Sequence, residues 1–224
     1  MREIILDTET TGLDPREGHR LVEIACLELV NGVPTGLDFV RRVNPQRAMD
    51  AAAYAIHGIS DADLANEPLF GDICDDLLAF LGDDPLVIHN AEFDMRFLNS
   101  ELARAGRPAI PLERAVDTLH IARRRFPGAP ASLDALCKRF GVDASARVKH
   151  GARLDAELLA EVYLELTGGR QKRLGLVAAE IQVSGVRAVV ARAPRAARPH
   201  APTAEEAAAH AAFVARIRNA IWLR

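Results

Sequence analysis

The chain has 224 residues, 49% of them apolar and 26% charged, which is more than one typical domain of about 100–200 residues needs and too few for two comfortable ones. No run approaches the roughly 18 consecutive apolar residues of a membrane span, and MREIILD lacks the basic region, long apolar stretch and cleavage site of a secretory signal, so a cytoplasmic protein with no membrane contact is expected. The net charge of −3 hides a division, since residues 1–169 hold 18 Lys+Arg against 28 Asp+Glu (−10) and residues 170–224 hold 10 against 3 (+7), which excludes the main body as a general electrostatic DNA coat.

Residues 2–8, 20–30 and 36–43 are rich in β-branched and aliphatic side chains and are separated by turn signals, Gly12 to Gly18 and then NGVPTG, a pattern that predicts three strands in meander order. Periodicity predicts helices over 70–81 and 91–105 on either side of the short apolar run PLVIHN. It then predicts a short strand in RAVDT ahead of helices near 118–126, 132–140 and 151–167. Strands clustered first and alternating with helices afterwards imply an α/β protein, a mixed sheet with helices on its faces. The glycines of TGGR (167–170) stop the last strong helix. Cys26, Cys74 and Cys137 are odd in number and far apart, which argues against disulfides and zinc and predicts small core side chains.

Beyond TGGR the composition changes. Residues 177–202, including RAPRAARPHAP, read as a flexible or extended basic linker. TAEE (203–206) then offers a capping box, Thr203 with Glu206, that opens an Ala-rich helix carrying Phe213 and Ile217 toward Trp222.

Three stretches carry acids where acids need a reason. In IILDTETTGLD (4–14), Asp7 and Glu9 lie two apart on a strand and so project together, an unfavourable pairing unless a cation lies between them or one keeps its proton. In VIHNAEFDMRFLN (87–99), Asn90 is expected to cap a helix on which Asp94 shares the inward face of Phe97 and Leu98. In KHGARLDAELLAEVYLEL (149–166), Asp155 lines up with Leu158, Leu159 and Val162, and His150 stands just ahead of the helix beside Gly151. Four acids with oxygen ligands only suit hard cations such as Mg²⁺ or Mn²⁺, and two such ions about 3.5–4 Å apart suit in-line displacement at phosphorus. An imidazole, ordinarily titrating near pH 6.5, can then serve as general base.

In order and spacing, DTETTG, HNAEFDMRFLN and HGARLDAELLAEVYLELTGG resemble the three exonuclease motifs of the DEDDh family, and within it the epsilon proofreading subunits of bacterial DNA polymerase III. AIHGISD and SLDALCKRFGV extend the similarity over residues 1–170. The resemblance implies a ribonuclease H-like fold with a central five-stranded mixed sheet flanked by helices, two divalent ions, and stepwise 3′→5′ removal of deoxynucleoside monophosphates from a DNA 3′ end, the primer terminus. It assigns Asp7, Glu9, Asp94 and Asp155 to the metal site and His150 to the base. Asp7, Glu9, Thr10, His57 and Asp155 fall at positions that meet substrate, His57 against the terminal nucleotide and Thr10 along the nucleotide pocket. His89 falls at a position of support rather than ligation, and Ala52 stands where many relatives carry an acid five residues before the histidine.

QKRLGL (171–176) resembles the Q-x-x-L-x-L peptide that binds a sliding clamp, with Gln171, Leu174 and Leu176 as anchors. Residues 203–224 resemble the segment that tethers such subunits to the polymerase alpha subunit, and an additional small accessory subunit is left open. The expected organisation is an exonuclease domain over 1–170, a clamp-binding peptide over 171–176, a linker over 177–202 and a docking segment over 203–224. Two rivals share the motifs: a DEDDh ribonuclease trimming RNA 3′ ends and a catalytically silent adaptor between polymerase and clamp. The tail argues against the first and the complete acid set with His150 against the second.

Overall fold

The computed structural model describes residues 1–145, 147, 149–168 and 201–217. Five strands form one mixed sheet: β1 (Arg2–Thr10), β2 (Leu21–Val30), β3 (Val33–Arg42), β4 (Leu86–Ile88) and β5 (Ala115–Asp117), in the order β3-β2-β1-β4-β5. β1 is the pivot, antiparallel to β2 and parallel to β4. The predicted α/β class and mixed five-stranded sheet are what the chain adopts.

The third strand begins earlier than its turn signals suggest. Asn31 and Gly32, at φ 55° and 77°, make a two-residue hairpin turn of the kind Asn-Gly favours. Val33 and Pro34 therefore pair at once with Val30 and Leu29, and an irregularity between Leu27 and Leu29 absorbs the mismatch. Pro34 is tolerated because β3 is an edge strand.

Helices α1 (Ala51–His57) and α2 (Asp61–Leu64) were not legible from periodicity, since they bury only Ala53, His57 and Leu64 between them. The predicted helices follow as α3 (Phe70–Leu81), α4 (Ala91–Arg104), α5 (Thr118–Arg125), α6 (Leu133–Phe140) and α7 (Ala152–Thr167). Successive β1 side chains serve opposite faces: Ile4 and Leu6 pack with α3 and α4, whereas Ile5 packs with α6 and α7. All three cysteines are free and buried in these layers.

Asn90 is corrected. It occupies the position before α4, but at φ 68°, ψ 55° its side chain makes no cap bond; its N–H instead donates to Asp117 Oδ1 at 3.2 Å. Asparagine tolerates this left-handed conformation better than most residues.

The second unit is described by α8 (Ala204–Ala215). The Thr203 hydroxyl accepts from the Glu206 N–H at 3.2 Å and Glu206 Oε2 accepts from the Thr203 N–H at 2.8 Å, the predicted capping box. Phe213 is exposed, and Ile217 lies two residues past the end of the helix rather than on it. Gln171, Leu174 and Leu176, residues 177–200 of the linker, and Trp222 lie outside the described residues.

Candidate active site

A cleft of about 870 Å³ opens beyond the carboxyl ends of the parallel strands β1, β4 and β5, where the sheet changes from antiparallel to parallel pairing. Such a switch point collects strand-end loops and helix starts around one hollow. β1 contributes Asp7, Thr8, Glu9 and Thr10; the β4 end contributes His89 and Asn90; α4 contributes Phe93 and Asp94; α7 and the loop before it contribute Arg147, His150 and Asp155.

The alternation of β1 puts Asp7 and Glu9 on the face of Ile5, toward α7, and Thr8 on the other, where its hydroxyl donates to Asp94 Oδ1 at 2.7 Å. Asp94 and Asp155 are 4% and 3% exposed, each on the inward stripe predicted for it. Glu9, His150 and Asp155 each bring one ligating atom within 4.8 Å of the others. The strand leaves this cluster through Gly12, where a β-carbon would stand 2.2 Å from the His19 ring, so the Thr-Thr-Gly break is a close-approach requirement.

Burial raises three of the acids, Asp7, Glu9 and Asp94. Burial pushes Glu9 up to about 8, with Asp155, Glu23 and Asp94 adding to it. Burial likewise lifts Asp94 to about 7 against the opposing Thr8 bond, and holds Asp7 well above the ordinary range, with Asp94, Asp155 and Glu9 reinforcing it. Three buried oxygen donors that resist ionisation until a cation neutralises them fit hard divalent ions. The stability consequence has a definite sign. Between the ordinary carboxylate values of 3.8 and 4.5 and the raised values of about 7 and 8, the folded chain binds more protons than the unfolded one, so stability falls as pH rises. In chelator, the melting temperature should drop by several degrees from pH 5 to pH 8, at about 2–4 °C per kcal/mol for a chain of this size, and Glu9→Gln should flatten the drop. A melting temperature constant over that range would contradict the raising of these acids by burial.

The other sequence-derived residues have distinct settings. His57 is buried at the cleft wall; its Nδ1 accepts from the Ile59 N–H at 3.0 Å, so Nε2 carries the proton and faces the Thr10 carbonyl at 3.3 Å. Burial lowers its pKa and keeps it neutral. The Thr10 hydroxyl donates to the Gly12 carbonyl at 2.7 Å, stiffening the strand exit. His89 lies against the Thr118 hydroxyl at 2.9 Å, a supporting contact, and Ala52 lines the cleft near Asp50.

Five contributors were not singled out from the sequence. Arg147 forks onto both oxygens of Asp155 at 2.5 and 2.7 Å and reaches Asp134. Glu23, directly opposite Glu9 in the β1–β2 register, accepts from the Ala152 N–H at 2.9 Å and so anchors the start of α7 between His150 and Asp155. Leu13, Ile56 and Phe93 give the cleft an apolar lining. Glu23, set between Val22 and Ile24 in the apolar first half of LVEIACLELV, was a usable signal; Arg147 in a polar loop gave none.

The RNase_T exonuclease family model matches residues 4–163, which takes in the cleft acids, His150 and the sheet that carries them. The chain belongs to the RNase_T exonuclease family. This exonuclease is 51% identical over 222 residues to the DNA polymerase III subunit epsilon of Rickettsia felis, covering 97% of each chain. It is 41% identical to the protein of the same name from Escherichia coli, covering 94% of this chain and 91% of that one. Among solved structures, exonuclease X in complex with 5′ overhanging duplex DNA superposes with a TM-score of 0.59 at 29% identity, over 74% of this chain and 90% of that one. Escherichia coli exonuclease I in complex with a dT13 oligonucleotide gives 0.65 at 16% identity, over 75% of this chain and 41% of that one, a likeness of fold. Among the described residues no helix is long and apolar enough to cross a membrane.

Proposed function

We propose that the protein is the cytoplasmic 3′→5′ proofreading exonuclease subunit of a replicative DNA polymerase, hydrolysing the last phosphodiester bond of a mispaired primer end. The observation that carries this reading is the convergence of four carboxylates and one accessible histidine in a single cleft, on a chain similar along nearly its whole length to epsilon subunits. Asp7, Glu9, Asp94 and Asp155 would hold two divalent cations, Mg²⁺ or Mn²⁺, which when bound supply positive charge to the phosphate oxygens as the bond to phosphorus breaks.

The chain's own residues do the rest. His150, with 46% of its side chain exposed at the cleft, takes a proton from the attacking water. The oxygen of that water bonds to phosphorus and the 3′ oxygen of the preceding nucleotide leaves, giving a nucleoside 5′-monophosphate and a new 3′ hydroxyl. Thr10 and His57 stiffen the wall against which the terminal nucleotide would lie, and Leu13, Ile56 and Phe93 offer apolar surface to its base. Glu23 keeps His150 and Asp155 in register with Glu9.

The acidic main body gains little from nonspecific attraction to DNA, so tethering is the economical route to a high local concentration at a primer end. In this reading residues 1–170 are the nuclease, residues 171–176 bind a sliding clamp, residues 177–202 link, and residues 203–224 dock on the polymerase alpha subunit. Full-length protein and a chain ending at residue 178 are compared on a 3′-mispaired primer and on matched DNA and RNA single strands, with Mg²⁺ and with chelator. Co-elution with the polymerase subunit is measured in parallel. Both forms should degrade DNA in preference to RNA and only with Mg²⁺, and only the full-length form should co-elute. Preference for RNA would favour the ribonuclease reading, and co-elution of the shortened chain would refute the division of labour.

A further inference from the structure

Arg147 engages the acid cluster and the histidine at once. Its Nε and Nη2 donate to Asp155 Oδ1 and Oδ2 at 2.5 and 2.7 Å, so one guanidinium fork satisfies both oxygens of that buried carboxylate. Nη1 donates to Asp134 Oδ1, and only 8% of the side chain is exposed. Nη2 also stands 2.9 Å from His150 Nδ1. A guanidinium nitrogen can only donate, so Nδ1 is the acceptor and the neutral ring carries its proton on Nε2. The other partner within reach of Nδ1 is Asp155 Oδ2, at 3.2 Å, and it accepts from the same Nη2.

We propose that Arg147 is an internal competitor for the divalent cation at Asp155, and that a phosphate entering the cleft draws it off. The inference rests on the reading of these acids as a cation site. A guanidinium and a doubly charged ion cannot share the two oxygens of one carboxylate without like-charge repulsion, so binding one weakens the other. The same contact also sets the histidine: with Arg147 in place Nε2 holds a proton and cannot accept one. Once the fork leaves, Nδ1–H can donate to Asp155 and the lone pair falls on Nε2, the arrangement a base requires. A phosphate presents the guanidinium with another pair of oxygens that it can engage bidentately, which makes the exchange chemically even. The nuclease would thus be held idle until substrate arrives, and its affinities for cation and for phosphate would be coupled.

The test titrates Mn²⁺ calorimetrically into the full chain, Arg147→Gln and Arg147→Lys, each with and without thymidine 5′-monophosphate, with thermal melting to check folding. Without nucleotide, Arg147→Gln should bind Mn²⁺ roughly five- to tenfold more tightly than the wild type. Arg147→Lys, which keeps the charge but loses the fork, should fall between them. Nucleotide should tighten Mn²⁺ binding by a larger factor in the wild type than in Arg147→Gln. If the Gln variant does not fold, the Lys variant decides alone and must exceed the wild type. Equal or weaker Mn²⁺ affinity in the folded variants overturns the competition, whereas absence of Mn²⁺ binding by all three proteins overturns the cation-site reading beneath it.

Discussion

Asp7→Ala and Glu9→Ala should each lower exonuclease turnover on the order of 10³-fold or more while leaving the fold intact. The two side chains project from one face of the central strand into the cleft, and cations held there would be worth several kcal/mol of transition-state stabilisation, about 1.4 kcal/mol per factor of ten. The other two acids of the cleft are already committed to their own positions, Asp94 arriving from α4, bonded to Thr8, and Asp155 from α7. The fold should survive, since both acids are held above their ordinary range and removing either relieves repulsion; in chelator the variants should melt at or above the wild-type temperature. Steady-state rates on a labelled single strand and thermal melts check both halves. Near-normal turnover by both variants would remove the pair from the chemistry.

His150→Ala should lower kcat by roughly 10²–10⁴-fold and leave Mn²⁺ affinity nearly unchanged. The ring stands in the loop ahead of α7, and that loop is held through its backbone, the His150 N–H donating to the Ile56 carbonyl at 3.2 Å, so truncation at Cβ should not move it. The rival role is real chemistry: Glu9, His150 and Asp155 lie close enough to ligate one ion together. Single-turnover rates at saturating Mn²⁺, set beside calorimetric affinity, separate the two. A fall in affinity that accounts for the whole loss of rate would make His150 a ligand and take it out of proton transfer.

The sequence by itself determined the elements and the acids. Two-residue alternation in β1 fixed that Asp7 and Glu9 share a face, and helical spacing fixed that Asp94 and Asp155 turn inward, because both follow from backbone geometry that local pattern already specifies. Helices α3 to α7 were legible for the same reason, each placing apolar side chains at helical spacing in one of the two core layers. α1 and α2 were not, since each is short and buries one or two side chains, so no period accumulates. The third strand was misplaced at its start because Asn31-Gly32 needs only two residues to reverse the chain, and Pro and Gly beyond it look like loop until an edge position excuses them.

What only the tertiary structure decided is who stands next to whom across long stretches of chain. Glu23 meets the start of α7 from 129 residues away, and Thr8 meets Asp94 from 86. Arg147 lies eight residues from Asp155, near in sequence, yet its loop has no period to betray its direction; its guanidinium is fixed between that carboxylate and Asp134 of α6. Local pattern sets which way a side chain points. Whether a buried charge is answered by a cation, an arginine or a proton depends on the summed field of groups that the chain brings together only when it folds.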